Sequence, residues 1–212
     1  NLIDYAIDYF KNLKTKYGKG KERKTEIRTF DTIDATKVAV ANTRFYVDRE
    51  EGFIGTSLKK DEFLFECSDI DDIVVFKDDG SMIVTKVDAK TFVGKGIIHI
   101  DIWHKNDKRT IYNLIYRDGK NGPAYQKRFA VTGITRDKEY DLTAGNKGSE
   151  VLYFSANPNG EAEVVSVILK THQRIKKLKF DINFADLAIK GRASKGNLVT
   201  KFPIKKVELK EE

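Results

Sequence analysis

Gly191-Arg192-Ala193-Ser194-Lys195-Gly196-Asn197-Leu198-Val199-Thr200-Lys201-Phe202 is a basic, glycine-bounded loop that runs straight into an alternating strand. Its core, Lys-Gly followed by a strand, recurs along the chain. Lys95-Gly96 leads into Ile97-Ile98-His99-Ile100-Asp101-Ile102, and Lys147-Gly148 leads into Val151-Leu152-Tyr153-Phe154. Gly96, Gly148 and Gly196 stand 52 and 48 residues apart. A period of about 50 built from strands and turns predicts a radial array of small antiparallel sheets. A basic loop at the same place in successive units would lay a basic track around the rim. Such a track suits a polyanion.

From Ile33 onward the apolar residues follow period two. Val38, Val40, Phe45, Val47, Phe53 and Ile54 mark a first hairpin that turns near Glu50-Glu51-Gly52. Ile73-Val74-Val75-Phe76 and Met82-Ile83-Val84 flank Asp78-Asp79-Gly80-Ser81, a strong tight-turn signal. Residues 111–116 and 125–131 flank Asp118-Gly119-Lys120-Asn121-Gly122, and residues 151–154 and 164–169 flank Pro158-Asn159-Gly160. These three pairs read as hairpins. Only three prolines interrupt the whole chain, so the strands run nearly unbroken. Units of this size, with three or four short strands each, predict a mainly β, propeller-like ring of about four to five blades. A plain β-sandwich is the competing arrangement, and the out-of-phase Lys-Gly loops favour the compound repeat.

Residues 2–17 differ from all of this. Leu2, Ile3, Ala6, Ile7, Tyr9, Phe10, Leu13 and Tyr17 form a helical stripe that Gly18 and Gly20 end. A single helix of this length is marginal alone, so it is expected to lie on the β domain or on a neighbour. The charged stretch that follows reads as a linker. The expected organisation is residues 1–30 as helix and linker, and residues 31–212 as the β domain. The chain opens on Asn1, in mid-helix, as a piece of a longer protein would.

At 212 residues with 40% hydrophobic side chains, the chain can bury a real core. The net charge of +7 is unevenly spread. Residues 48–80 hold 4 basic and 11 acidic side chains, whereas residues 170–212 hold 12 basic and 5 acidic. Asymmetry of this size predicts that one face meets an anion and another does not; two solvated surfaces with no partner are the competing reading. The single cysteine, Cys67, excludes an internal disulfide framework and reads as a small core residue. No apolar run approaches the ~20 residues of a membrane span, and no signal-peptide pattern is present. A cytoplasmic setting is expected, with no membrane partner.

Leu13-Lys14-Thr15-Lys16-Tyr17-Gly18, followed by Glu22-Arg23-Lys24-Thr25-Glu26-Ile27, resembles the junction in bacterial type II topoisomerase A subunits, where the DNA-cleavage core passes into the C-terminal domain. Residues 73–87 look like that domain's apolar strand, glycine turn and basic strand. Residues 191–202 look like its Gly-Arg-x-x-x-Gly loop. The resemblance covers essentially the whole chain. It implies a β-pinwheel, a strand-exchanged relative of the propeller, that binds and bends duplex DNA without sequence preference. It implies a domain that is not an enzyme by itself and needs no cofactor, because the cleaving tyrosine, the metal-binding acids and the ATPase lie elsewhere. Its partners would be the rest of the A subunit, together with the ATPase B subunit, and its setting the nucleoid. The chain lacks the Gln-Arg-Arg-Gly-Gly-Lys-Gly phrase of gyrase, which turns the reading toward topoisomerase IV; a gyrase wrapping domain is the alternative within the family.

Ten cations are the candidate DNA contacts: Lys95, Lys127, Arg128, Arg174, Lys176, Lys177, Lys190, Arg192, Lys195 and Lys201. Lysine and arginine neutralise phosphate without reading sequence. Other chemistries find little support. His99, His104 and His172 lack the spacing of a metal site. The acids at 69, 71, 72, 78 and 79 lack that of a calcium loop. Ser155 and Ser166 have no histidine partner in view. Trp103 reads as a half-buried blade aromatic. A propeller that binds an acidic protein is the competing class, separable by salt-sensitive binding to random duplex DNA. A small-molecule site would need a convergent polar pocket that no feature signals.

Overall fold

Leu2, Ile3, Ala6, Ile7 and Phe10 fall on one side of α1, Leu2–Tyr17, which ends where the Gly18 amide donates to the Lys14 carbonyl at 2.8 Å. The computed structural model describes residues 2–20, 42–171 and 177–210. They divide into two units, with the break after Val38. The boundary expected at residues 30 and 31 lies outside the described residues, as do Val38 and Val40 of the expected first hairpin. No residue of α1 is buried, and Leu2 is 87% exposed.

The second unit is mainly β. Its strands are β1 (Thr43–Asp48), β2 (Phe53–Gly55), β3 (Glu62–Cys67), β4 (Asp72–Lys77), β5 (Ser81–Lys86), β6 (Thr91–Phe92), β7 (Ile97–Trp103) and β8 (Ile111–Arg117). There follow β9 (Ala124–Ala130), β10 (Tyr140–Asp141), β11 (Glu150–Asn157), β12 (Val164–Leu169), β13 (Lys179–Asn183), β14 (Ile189–Gly191), β15 (Asn197–Thr200) and β16 (Ile204–Leu209). The described strands fall into four sheets, ordered β3-β1-β2-β6, β10-β5-β4-β7, β11-β8-β9-β14 with β15 also on β9, and β13-β12-β16.

One rule generates the first three orders. Each sheet starts as a hairpin, its third strand pairs with the first, and a late strand pairs with the second. The late strand arrives only after the next sheet has begun: β6 follows β4 and β5, β10 follows β8 and β9, and β14 and β15 follow β12 and β13. Successive sheets are therefore interlocked by backbone hydrogen bonds as well as by side chains.

The continuous run Ile73-Val74-Val75-Phe76 has no polar alternation because β4 is covered on both faces. Ile73 and Val75 pack with Phe45, Val47 and Ile54 of the first sheet. Val74 and Phe76 pack with Tyr112, Leu114 and Phe129 of the third. The same division repeats on β8, where Leu114 and Tyr116 face the second sheet and Ile115 packs with Val165 and Val167 of the fourth and with Phe184 just past β13. Three core clusters thus join the four sheets in series.

Two sequence expectations are corrected here. Residues 151–154 and 164–169 do not form a hairpin. β11 pairs with β8, and β12 pairs with β13 and β16, so Pro158-Asn159-Gly160 turns the chain from one sheet into the next. Trp103 is buried rather than half-buried, and its indole N–H donates to the Val131 carbonyl at 2.7 Å. Cys67 is fully buried in the first interface. No helix among the described residues is long and apolar enough to cross a membrane.

Candidate nucleic-acid interface

The 191–202 stretch is shaped by β9. β14 runs parallel to β9, with Ile189 opposite Arg128 and Gly191 opposite Ala130. β15 then lies antiparallel on the same strand, with Asn197 opposite Gln126 and Thr200 opposite Ala124. The chain must reverse between them, and it does so around Lys127. That side chain is 2% exposed, and its Nζ donates to the Arg192 carbonyl at 2.6 Å and the Ser194 carbonyl at 3.0 Å. Burial pushes its pKa down to about 8, with Asp141 pulling the other way. The Ser194 amide closes the loop onto the Gly191 carbonyl at 3.0 Å, and the Tyr116 hydroxyl donates to the Lys195 carbonyl at 2.6 Å. Gly196 sits at φ +89°, where a Cβ would collide with the Gln126 carbonyl, so the close return onto β9 requires glycine.

The two cations of the loop leave in different directions. Arg192 donates to the Gly133 carbonyl, and its guanidinium lies 4.1 Å from the centre of the Tyr140 ring. Lys195 is exposed, 4.4 Å from the Tyr125 ring centre and 3.5 Å from Asp118 Oδ2. Its pKa is raised, first by Tyr125 and then by Asp118. Asp118 begins the β8–β9 turn and also accepts from Asn146 Nδ2 at 3.0 Å. The Asn146 neighbour Lys147 and the turn residue Lys120 are both exposed, and Gly148 packs directly against Lys120. Lys120, Lys147 and Lys195 are thereby gathered at one corner of the third sheet. Lys120 and Lys147 were not among the ten candidate cations. The signal for Lys147 was present in the Lys-Gly series itself.

The remaining candidates are dispersed. Lys190 lies exposed on β14, Lys201 exposed just past β15, and Lys177 exposed just before β13. Lys95 is exposed but lies 3.5 Å from Glu51, beside a glycine packed on Asp78. Arg174 and Lys176 lie outside the described residues, as does His172. Arg128 is 7% exposed and spends its donors on Asn113 Oδ1 at 3.0 Å, the Gly160 carbonyl at 2.8 Å and the Glu161 carbonyl at 3.2 Å. Lys127 and Arg128 are thus turned into the protein rather than onto its surface, one to each face of β9.

The three Lys-Gly loops are also not equivalent, which corrects the expected recurrence. Gly96 and Gly148 lead into β7 and β11, the third strands of their sheets, whereas Gly196 leads into β15, a late strand. No group of three or more His, Cys, Asp or Glu among the described residues is placed to hold a metal ion.

Comparison with known proteins matches residues 44–212 to the family described as the topoisomerase C-terminal domain of Bacteroidota. The curated A subunit of DNA topoisomerase 4 from Borreliella burgdorferi (strain ATCC 35210 / DSM 4680 / CIP 102532 / B31) is 31% identical over 211 residues. The alignment covers 99% of this chain, and the chain spans 32% of that relative's length. A solved structure, the crystal structure of the C-terminal domain of DNA topoisomerase IV, aligns with a TM-score of 0.45 at 12% identity, over 84% of this chain and 64% of the other. With the family match running from the first described β-strand to the end of the chain, this chain belongs to the Bacteroidota topoisomerase C-terminal domain family.

Proposed function

We propose that residues 31–212 form the DNA-binding and DNA-bending module of a topoisomerase IV-like A subunit, non-catalytic in itself, and that it presents a duplex segment to the cleavage core. The observation that carries this reading is the gathering of Lys120, Lys147 and Lys195 at one corner beside the Arg192 loop, in a chain of this family. Phosphate oxygens are the ligand for such a corner, because clustered lysines release counterions on binding and read no base. Lys177, Lys190 and Lys201 extend the contact surface, with Lys95 at a distance, and Arg174 and Lys176 belong to the same basic stretch of sequence. The interlocked late strands support the pinwheel reading of the fold. The core of the A subunit, the ATPase B subunit, and the nucleoid are the proposed partners and setting. Bending a duplex costs several kcal/mol, so distributed contacts suit the task better than one pocket.

The test is a salt titration of the chain on two unrelated duplexes. The expected result is equal affinity for both, falling with a log–log slope of roughly −0.9 per phosphate neutralised. A flat slope, or strong preference for one duplex, would overturn the reading. The missing gyrase phrase further implies bending without a trapped chiral turn. Relaxing circular DNA in the presence of the bound chain should leave the linking number nearly unchanged, and a large uniform shift would favour a gyrase-type wrapping domain.

A further inference from the structure

Lys127 presents a puzzle of burial. An ammonium on a strand covered on both faces costs solvation, yet Lys127 has no carboxylate within hydrogen-bond reach among its described partners. Its two bonds go to main-chain carbonyls of Arg192 and Ser194, and its Nζ lies 4.9 Å from the centre of the Phe129 ring. Two other side-chain atoms near this loop, Ser194 Oγ and Gln126 Oε1, are buried and take no hydrogen bond among the described residues. The polar tie between β9 and the inside of the loop is therefore the ammonium.

We infer that Lys127 is the positioning residue of the 192–196 loop: its buried ammonium fixes the loop's path, and thereby the points from which Arg192 and Lys195 meet a nucleic-acid phosphate. The second half rests on the DNA-binding reading above, and the first half does not. A buried charge adds little net stability, because desolvation offsets its bonds, but it can select one geometry. Two inward carbonyls at 2.6 and 3.0 Å define that geometry closely. Loop order and DNA affinity should accordingly depend on Lys127 more than global stability does.

The experiment compares the chain with its Lys127→Met variant. Hydrogen exchange is read at amides 192–196, melting by circular dichroism, and affinity on a random-sequence duplex. In the variant, loop exchange should quicken about tenfold, as expected for loss of a charge-assisted hydrogen bond. Melting should change little, and affinity should fall as far as in the Arg192→Ala, Lys195→Ala double variant. Unchanged loop exchange in a folded variant overturns the inference. Faster exchange with unchanged affinity overturns its functional half. If the unaltered chain binds no duplex, the DNA reading fails while the exchange result still decides the positioning role. Should Lys127→Met not fold, the Lys127 Nζ protons of the unaltered chain are read by nitrogen-15 NMR. Slow exchange with water supports the inference, and exchange as fast as at surface lysines overturns it.

Discussion

Lys95 and Lys195 each precede a left-handed glycine at the mouth of a strand, with Gly96 at φ +79° and Gly196 at φ +89°. Their surroundings are opposite. Lys95 lies 3.5 Å from Glu51, and its glycine packs on the Asp78 carboxylate. Lys195 has one acid nearby, Asp118, in a corner it shares with Lys120 and Lys147, on a loop that also carries Arg192. A lysine among acids is locally neutralised, whereas a lysine among lysines adds to a shared field. The local phrase supplies a shape, and the neighbouring sheet edges decide what that shape does.

The sharpest way to break this comparison is to remove charge at each corner. Arg192→Ala with Lys195→Ala should lower the salt slope by up to ~2 and weaken every duplex about equally, on the order of 30-fold at 0.15 M salt. Lys95→Ala should change the slope by less than ~1. Equal losses in a salt titration would erase the distinction.

A second test exchanges the glycines. Both left-handed positions cost an L-residue about 1–2 kcal/mol. At Gly196 the added methyl also meets the main chain of β9, whereas at Gly96 it meets a carboxylate that can swing away. Gly196→Ala should therefore be the more destabilising in urea denaturation, and the reverse order would contradict the packing described.

Lys127 gives the Lys195 corner a pH signature that the other corner lacks. Its folded pKa of about 8 lies below the ordinary lysine value of 10.5. Above about pH 8 the folded chain gives up a proton that the unfolded chain retains, so this group's contribution to stability rises with pH, by at most about 1.4 kcal/mol per unit, until the unfolded lysine also titrates. Denaturation at several pH values should show that rise in the unaltered chain and its loss in Lys127→Met.

The smallest effect is expected for α1, which belongs to the other unit. Deleting residues 1–19 should leave the melting of the β unit and its DNA affinity within error. A chain that unfolds on this deletion would show that α1 belongs to the β domain after all.

The hairpins at 78–81 and 118–122 were legible because turn and strand signals are local there. The partners of β11 and β12 were not, because β11 pairs back to β8 and β12 forward to β13 and β16, and the Pro158-Asn159-Gly160 turn looks the same whether it joins strands of one sheet or of two. Lys127 and Arg128 were misjudged for a related reason. Adjacent residues on a strand face opposite ways, so one charge was bound to point to each face. Only the path of the 192–194 loop over one face and of the 160–161 turn over the other shows that neither face is solvent. The turn that carries Arg192 and Lys195 was legible because glycines bound it, whereas the meeting of Lys147 and Lys120 depends on how two turns of the chain come together.

Cys67 turns the first interface into its own reporter. It is the only cysteine of the chain, it is fully buried, and burial, assisted by Asp71, pushes its thiol pKa up to about 11. A closed molecule therefore offers a maleimide or disulfide reagent almost no thiolate. Labelling must wait for the outermost sheet to open, so the modification rate is a clock for fraying at the end of the series of sheets. The same single label, read with and without duplex DNA, tells how far occupancy of the Lys195 corner on the third sheet stiffens the first.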